Sequence, residues 1–198
     1  PAAPRLSGGL AFTRGELRVV GLEEDFRDIA LRVDFIDDVV RLTSLSAKSG
    51  KKGSMVASGW ARVSNYRPAD YKLDLTLRDF QVSSITDMDI RTDGNLLVRL
   101  VEWNDGRRIP RITGKLAVKE ANITMDITQT GGTTEGAEFT RPTPRPNWLA
   151  AVDLDAAKNV WIRNQDLSVE MEGDLILNRD ERGLYFRGDM SILRGSYY

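Results

Sequence analysis

Residues 167–177 read Leu167-Ser168-Val169-Glu170-Met171-Glu172-Gly173-Asp174-Leu175-Ile176-Leu177. The odd positions are apolar or glycine. The even positions, apart from Ile176, are polar. A period of two is the strand period, because successive side chains point to opposite faces of the backbone. Eleven residues in this phase span about 36 Å at strand rise. The segment is thus a long strand with one greasy face.

The same alternation recurs along the chain. Ile29, Leu31, Val33 and Phe35 alternate with Ala30, Arg32 and Asp34. Tyr71, Leu73, Leu75 and Leu77 alternate with Lys72, Asp74 and Thr76, and Gly114, Leu116 and Val118 with Lys115 and Ala117. Ile123, Met125 and Ile127 form a further phase. Many strands open with the phrase glycine, any residue, apolar, any residue, apolar. It begins at Gly8, Gly15, Gly53, Gly59, Gly94, Gly114, Gly173 and Gly188, eight of the 17 glycines. With 41% apolar residues, chance placement gives about three such phrases, so the pattern is a signal.

Turn chemistry separates the runs at Asp37-Asp38, Ser49 to Gly53, Arg67 to Asp70, Asn104-Asp105-Gly106 and Asn178 to Gly183. Short connections between strands predict an antiparallel meander. Ser83 to Asp89 is the only candidate for a turn of helix. Thr128 to Asn147 reads TQTGGTTEGAEFTRPTPRPN, which is poor in apolar anchors, and its composition predicts a flexible Thr/Gly/Pro-rich loop. The expected organisation is one structural domain. Residues 1–127 form the first part of the sheet, 128–147 the loop and 148–198 the continuation.

Composition excludes several functions. There is no cysteine and no histidine among the 198 residues. Disulfides, thiolate zinc sites, a serine triad and the commonest general base are therefore absent. The net charge of −1 argues against nucleic-acid binding through a broad basic surface. No apolar run is long enough for a membrane-spanning helix, and no signal-peptide pattern opens the chain. The start Pro1-Ala2-Ala3-Pro4 and the end Ser196-Tyr197-Tyr198 read as cuts within a longer protein.

Candidate sites are few. Asp87, Asp89 and Asp93 are the densest carboxylates, but lack the spacing of a calcium loop. Glu23, Glu24 and Asp25 supply no defined catalytic pair. Lys48, Lys51-Lys52 and Arg107-Arg108 are candidate contacts for anionic headgroups, each with a charged turn as the plainer reading. Trp60, Trp103, Trp148 and Trp161 are candidate sugar platforms, or simply rim residues that use a ring and one N–H. No catalytic residue, metal site or cofactor is expected.

The last forty residues carry more. Asn159-Val160-Trp161-Ile162-Arg163, Asp166 to Glu170, Gly173-Asp174-Leu175 and the closing Gly188-x-Met190-x-Ile192-Leu193-Arg194-Gly195-x-Tyr197 resemble the C-terminal conserved region of the TamB (translocation and assembly module) family. That family lies within the AsmA-like, bridge-like lipid-transfer group. Phe26 to Leu31, Val39 to Leu42 and Gly59-Trp60-Ala61 are similar in style.

The resemblance implies an all-β fold, a long curved antiparallel sheet forming a U-shaped β-taco groove with an apolar concave face. It implies a periplasmic protein anchored in the inner membrane by a helix outside this chain. The implied partners are phospholipid acyl chains and a TamA-like outer-membrane β-barrel. The implied role is moving phospholipid between membranes, assisting outer-membrane protein assembly, or both.

An apolar wall suits lipid transfer. One sixteen-carbon chain in water costs roughly 12 kcal/mol, at ~0.8 kcal/mol per methylene. The expected groove lining is Leu31, Val33, Phe35, Leu73, Leu75, Leu116, Val118, Ile123, Met125, Val169, Met171, Leu175, Met190 and Ile192. The outward phase is Arg32, Asp34, Lys72, Asp74, Lys115, Glu170, Glu172, Asp174 and Asp189. Two other readings remain open from sequence. The same alternation builds the dry interior of a closed β-sandwich serving as a binding or adhesion module. An exposed edge would make a folding platform for client strands.

Overall fold

The structure, a computed structural model, describes residues 6–18, 25–65, 67–83, 88–124, 145–164 and 166–197. Ten strands follow one another: β1 (Leu6–Arg18), β2 (Asp25–Asp37), β3 (Val39–Ser49), β4 (Gly53–Ser64), β5 (Arg67–Ser83), β6 (Met88–Glu102), β7 (Arg108–Ile123), β8 (Leu149–Arg163), β9 (Leu167–Asp180) and β10 (Gly183–Tyr197). They form one sheet in sequence order. The sheet is curved and open, and it does not close on itself. Strand makes up 88% of the described residues, which leaves no helical layer among them to cover either face. No helix among them is long and apolar enough to cross a membrane. A sandwich needs a second sheet, and the described residues supply only one.

Most turns form where their chemistry predicts, but Arg67 to Asp70, expected as a turn, opens strand β5, and the turn residue after β4 is Asn65, with φ 50°. Asp37 takes φ 55° and lets β2 fold back onto β3 through Asp38 alone. At Asp105-Gly106 the glycine takes φ 78°, and the Gly106 N–H donates to the Trp103 carbonyl at 2.8 Å. Ser83, Met88 and Asp89 are strand residues, whereas 84–87 lie outside the described set. Most of the expected 128–147 loop lies outside it as well.

Eight of the nine pairings are antiparallel, as the meander predicts. The β7–β8 junction is parallel, with Arg111 opposite Leu149 and Ile123 opposite Ile162. The physical reason is connection length. A tight turn can only reverse a chain, whereas residues 124–148 are numerous enough to span the whole length of β7, about 50 Å.

Two devices bend the sheet. Register shifts fall at Arg14, Asp28, Asp79 and Asn159, each with a positive φ between 50° and 63°. A bulge inserts a residue, kinks its strand and raises the local twist. The second device is glycine within strands. At Gly114 (φ 147°) and Gly188 (φ 134°) an added Cβ would run into the carbonyl oxygens of Asn95 and Asp174 on the neighbouring strands. Only glycine tolerates both that φ and that backbone approach.

Candidate functional site

Residues directly opposite in a ladder share a face, so register converts the strand alternation into transverse rows. One row crosses all ten strands through Phe12, Leu31, Leu45, Ala57, Leu75, Leu96, Gly114, Val152, Leu177 and Phe186. No polar side chain interrupts it. Nine strand spacings make it about 43 Å long. The next row runs through Leu10, Val33, Leu42, Gly59, Leu73, Val98, Ile112 and Ala150 before meeting Arg179 on β9.

Thirteen of the fourteen sequence-predicted lining positions lie on this face of the ladder. Leu31 and Leu75 lie in the unbroken row, and Val33 and Leu73 in the next one. Phe35 stands opposite Val40. Leu116 lies opposite Gly94 on one side and Leu154 on the other, and Leu154 lies opposite Leu175. Val118 faces Thr92, and Ile123 stands beside Met88 and Ile162. Ile162 pairs with Val169, Val160 with Met171, Gly173 with Met190, and Met171 with Ile192. Met125 lies outside the described residues.

Little of this face is sealed. The buried apolar residues are mostly small, and among described residues the largest fully buried side chain is Ser49. Exposure rises toward the two edges, to 49% at Phe12 on β1, and to 60% at Phe186 and 65% at Ile192 on β10. One buried cluster joins Ala121, Ala156 and Val160 with the partly buried Ile90, Val118 and Met190. An open trough of about 1070 Å³ spans β5 to β10. It is lined by the row Leu77, Gly94, Leu116, Leu154, Leu175 and Gly188 and by polar neighbours including Lys115, Asp153 and Arg187.

The polar face corrects one expectation. Glu170 lies in the outward phase yet is only 4% exposed. Its carboxylate accepts from the Asn159 N–H at 2.9 Å and from Arg194 Nε at 2.6 Å. Those two donors hold its pKa below the ordinary glutamate range. Arg194 and Arg163 both stand over the Trp161 ring, at 5.4 and 4.5 Å, and Arg163 also donates to Asn122 Oδ1. Three separated pieces of the C-terminal motif thereby meet in one cluster. Trp161 and, under Arg179, Trp148 each have a guanidinium against the ring.

The carboxylate candidates are likewise engaged. Asp93 accepts from the Asp79 N–H and pairs with Lys119 at 2.8 Å, and these contacts lower its pKa. Asp89 accepts from Ser83 Oγ and Gln81 Nε2. Asp25 pairs with Arg18. Glu23, Glu24 and Asp87 lie outside the described residues. No acidic group of three fit to hold a metal occurs among those described. The cation candidates are mostly paired too, Lys48 with Asp28, Arg107 with Asp105 and Arg108 with Asp70.

A family model, the TamB C-terminal domain, matches residues 43–198. The chain belongs to this family. No curated protein and no solved structure matches it.

Proposed function

We propose that this member of the TamB C-terminal domain family works as a non-catalytic scaffold of the cell envelope, whose apolar face shields phospholipid acyl chains in transit between inner and outer membranes. The carrying observation is the row from Phe12 to Phe186, apolar across all ten strands on an open sheet. An uncovered apolar surface of this extent calls for a greasy occupant. An acyl chain needs no polar recognition, only a continuous wall. Family membership supports the envelope setting, the periplasmic location and a TamA-like barrel partner for the longer protein. The lining residues proposed are Leu31, Val33, Phe35, Leu73, Leu75, Leu116, Val118, Ile123, Met125, Val169, Met171, Leu175, Met190 and Ile192.

The test is mass spectrometry of an organic extract of the purified chain. Phospholipid at a stoichiometry near one or above is expected. Lipid-free protein that also fails to take up lipid from vesicles would overturn the reading.

A second reading rests on a different observation. Among the described residues β10 is an edge strand of 15 residues without lysine or proline, and it presents Phe186 and Ile192. Such an edge is open to strand addition, which suits assistance to outer-membrane protein assembly. Crosslinks from β10 backbone positions to client strands, with none to lipid, would favour it.

A further inference from the structure

A second row crosses the opposite face. Arg41 on β3 stands opposite Trp60, Trp60 opposite Lys72, Lys72 opposite Arg99, and Arg99 opposite Arg111 on β7. Five neighbouring strands thus carry four cations and one tryptophan in line, about 19 Å from end to end. All four cations are exposed and Trp60 is half-buried. Lys72 pairs with Asp74 at 3.0 Å. Among the described residues, Arg41, Arg99 and Arg111 form no ion pair, and Asp34, opposite Arg41, accepts from the Thr43 hydroxyl.

Like charges directly opposite in a ladder repel. The repulsion between Lys72 and Arg99, and between Arg99 and Arg111, is relieved when anions lie across the row. A tryptophan in the middle of such a row adds the ring-plus-N–H chemistry of a membrane interface. Ile36, 51% exposed, and Val39 stand in the next row of the same face, two residues from Asp34 and Arg41 along their strands. Cations in line with an indole, beside the exposed Ile36, match an anionic bilayer better than an acidic protein or a free polyanion.

The geometry points to a membrane-docking strip, Arg41, Trp60, Lys72, Arg99 and Arg111, that seats the polar face of the sheet on anionic phospholipid headgroups. It is separate from the apolar face and does not depend on the lipid-shielding reading. One face would hold acyl chains while the other orients the scaffold against a bilayer.

The test is sedimentation of the chain with vesicles of mixed phosphatidylcholine and phosphatidylglycerol. Wild type binds these and not pure phosphatidylcholine, and high salt releases it. R41S/R99S/R111S loses roughly a hundredfold in partitioning, since each cation near an anionic surface contributes a factor of about five. R41K/R99K/R111K retains binding. R18S/R27S/R182S, matched in charge but outside the row, also retains it. Equal losses in the row and the matched variant would overturn the strip, as would equal binding to both vesicle types. Binding of inorganic phosphate without vesicle binding would overturn the membrane as its target. Copurified phospholipid should be unchanged in R41S/R99S/R111S. Its loss would overturn the separateness of the two faces.

Discussion

Phe26 and Phe80 stack with ring centroids 5.8 Å apart and 10° between their planes, although β3 and β4 lie between their strands. The rings reach each other because the intervening strands end in small residues there, Ser49 and Gly53, which pair with one another. Ser49 is fully buried, and its hydroxyl exchanges hydrogen bonds with the backbone of Gln81. The apolar face is thus clamped at one end and open over most of its length.

The stack should be cooperative. Phe80 is buried and Phe26 half-buried, so Phe80→Ala is expected to cost about 3 kcal/mol in denaturant unfolding and Phe26→Ala less. The double mutant should show a coupling of about 1 kcal/mol. Strict additivity would mean that the rings do not support each other.

A charge on the apolar face should act differently by position. Leu175 is half-buried, so Leu175→Asp should leave a folded chain whose copurified phospholipid falls severalfold. Val169 is 6% exposed, and Val169→Asp should unfold it, at a cost of several kcal/mol for a buried unpaired charge. Circular dichroism and lipid extraction on the two variants check this. Unfolding by Leu175→Asp would show that this face behaves as a dry core.

Gly114→Ala should destabilise by about 1–3 kcal/mol, because its φ of 147° is strained for alanine and the new methyl group meets the Asn95 carbonyl. At Gly106, in the β6–β7 turn, an added Cβ has open space, so Gly106→Ala should cost less. Thermal unfolding ranks the two, and the reverse order would refute the close backbone approach.

Acid should loosen two specific places. The pKa of Asp93 is lowered by the Asp79 N–H and Lys119, and that of Glu170 by the Asn159 N–H and Arg194. A depressed carboxylate adds stability above its ordinary value of about 4 and loses it as pH falls through the lowered folded value. Stability should therefore drop below about pH 4, and Asp93→Asn and Glu170→Gln should each flatten that acid limb. An unchanged acid profile in both variants would refute the assignment.

Much of the fold was legible locally. The alternation over Leu167 to Leu177 and over Tyr71 to Leu77 placed each residue on its face, and Asp105-Gly106 marked its turn. Glycine phrases marked strands, and Gly94, Gly114, Gly173 and Gly188 prove to sit on the apolar face opposite large side chains such as Leu116, Leu96, Met190 and Leu175. Adjacency in sequence, as in Arg107-Arg108, says nothing of pairing, and it is the structure that pairs Arg107 with Asp105 and Arg108 with Asp70. Arg41, Lys72, Arg99 and Arg111 lie far apart in the chain, and only the ladder aligns them.

The sequence by itself determined that this is a chain of long strands with one apolar phase, because side-chain alternation is a property of the strand backbone alone. It also carried the family motif in its last forty residues. The tertiary structure decided the register, the parallel β7–β8 junction, the burial of Glu170 under Arg194 and the basic row on the far face. Register depends on pairing between distant strands and on bulges that each shift it by a residue, and a one-residue slip exchanges the faces. No local pattern encodes that choice, and both proposed surfaces follow from it.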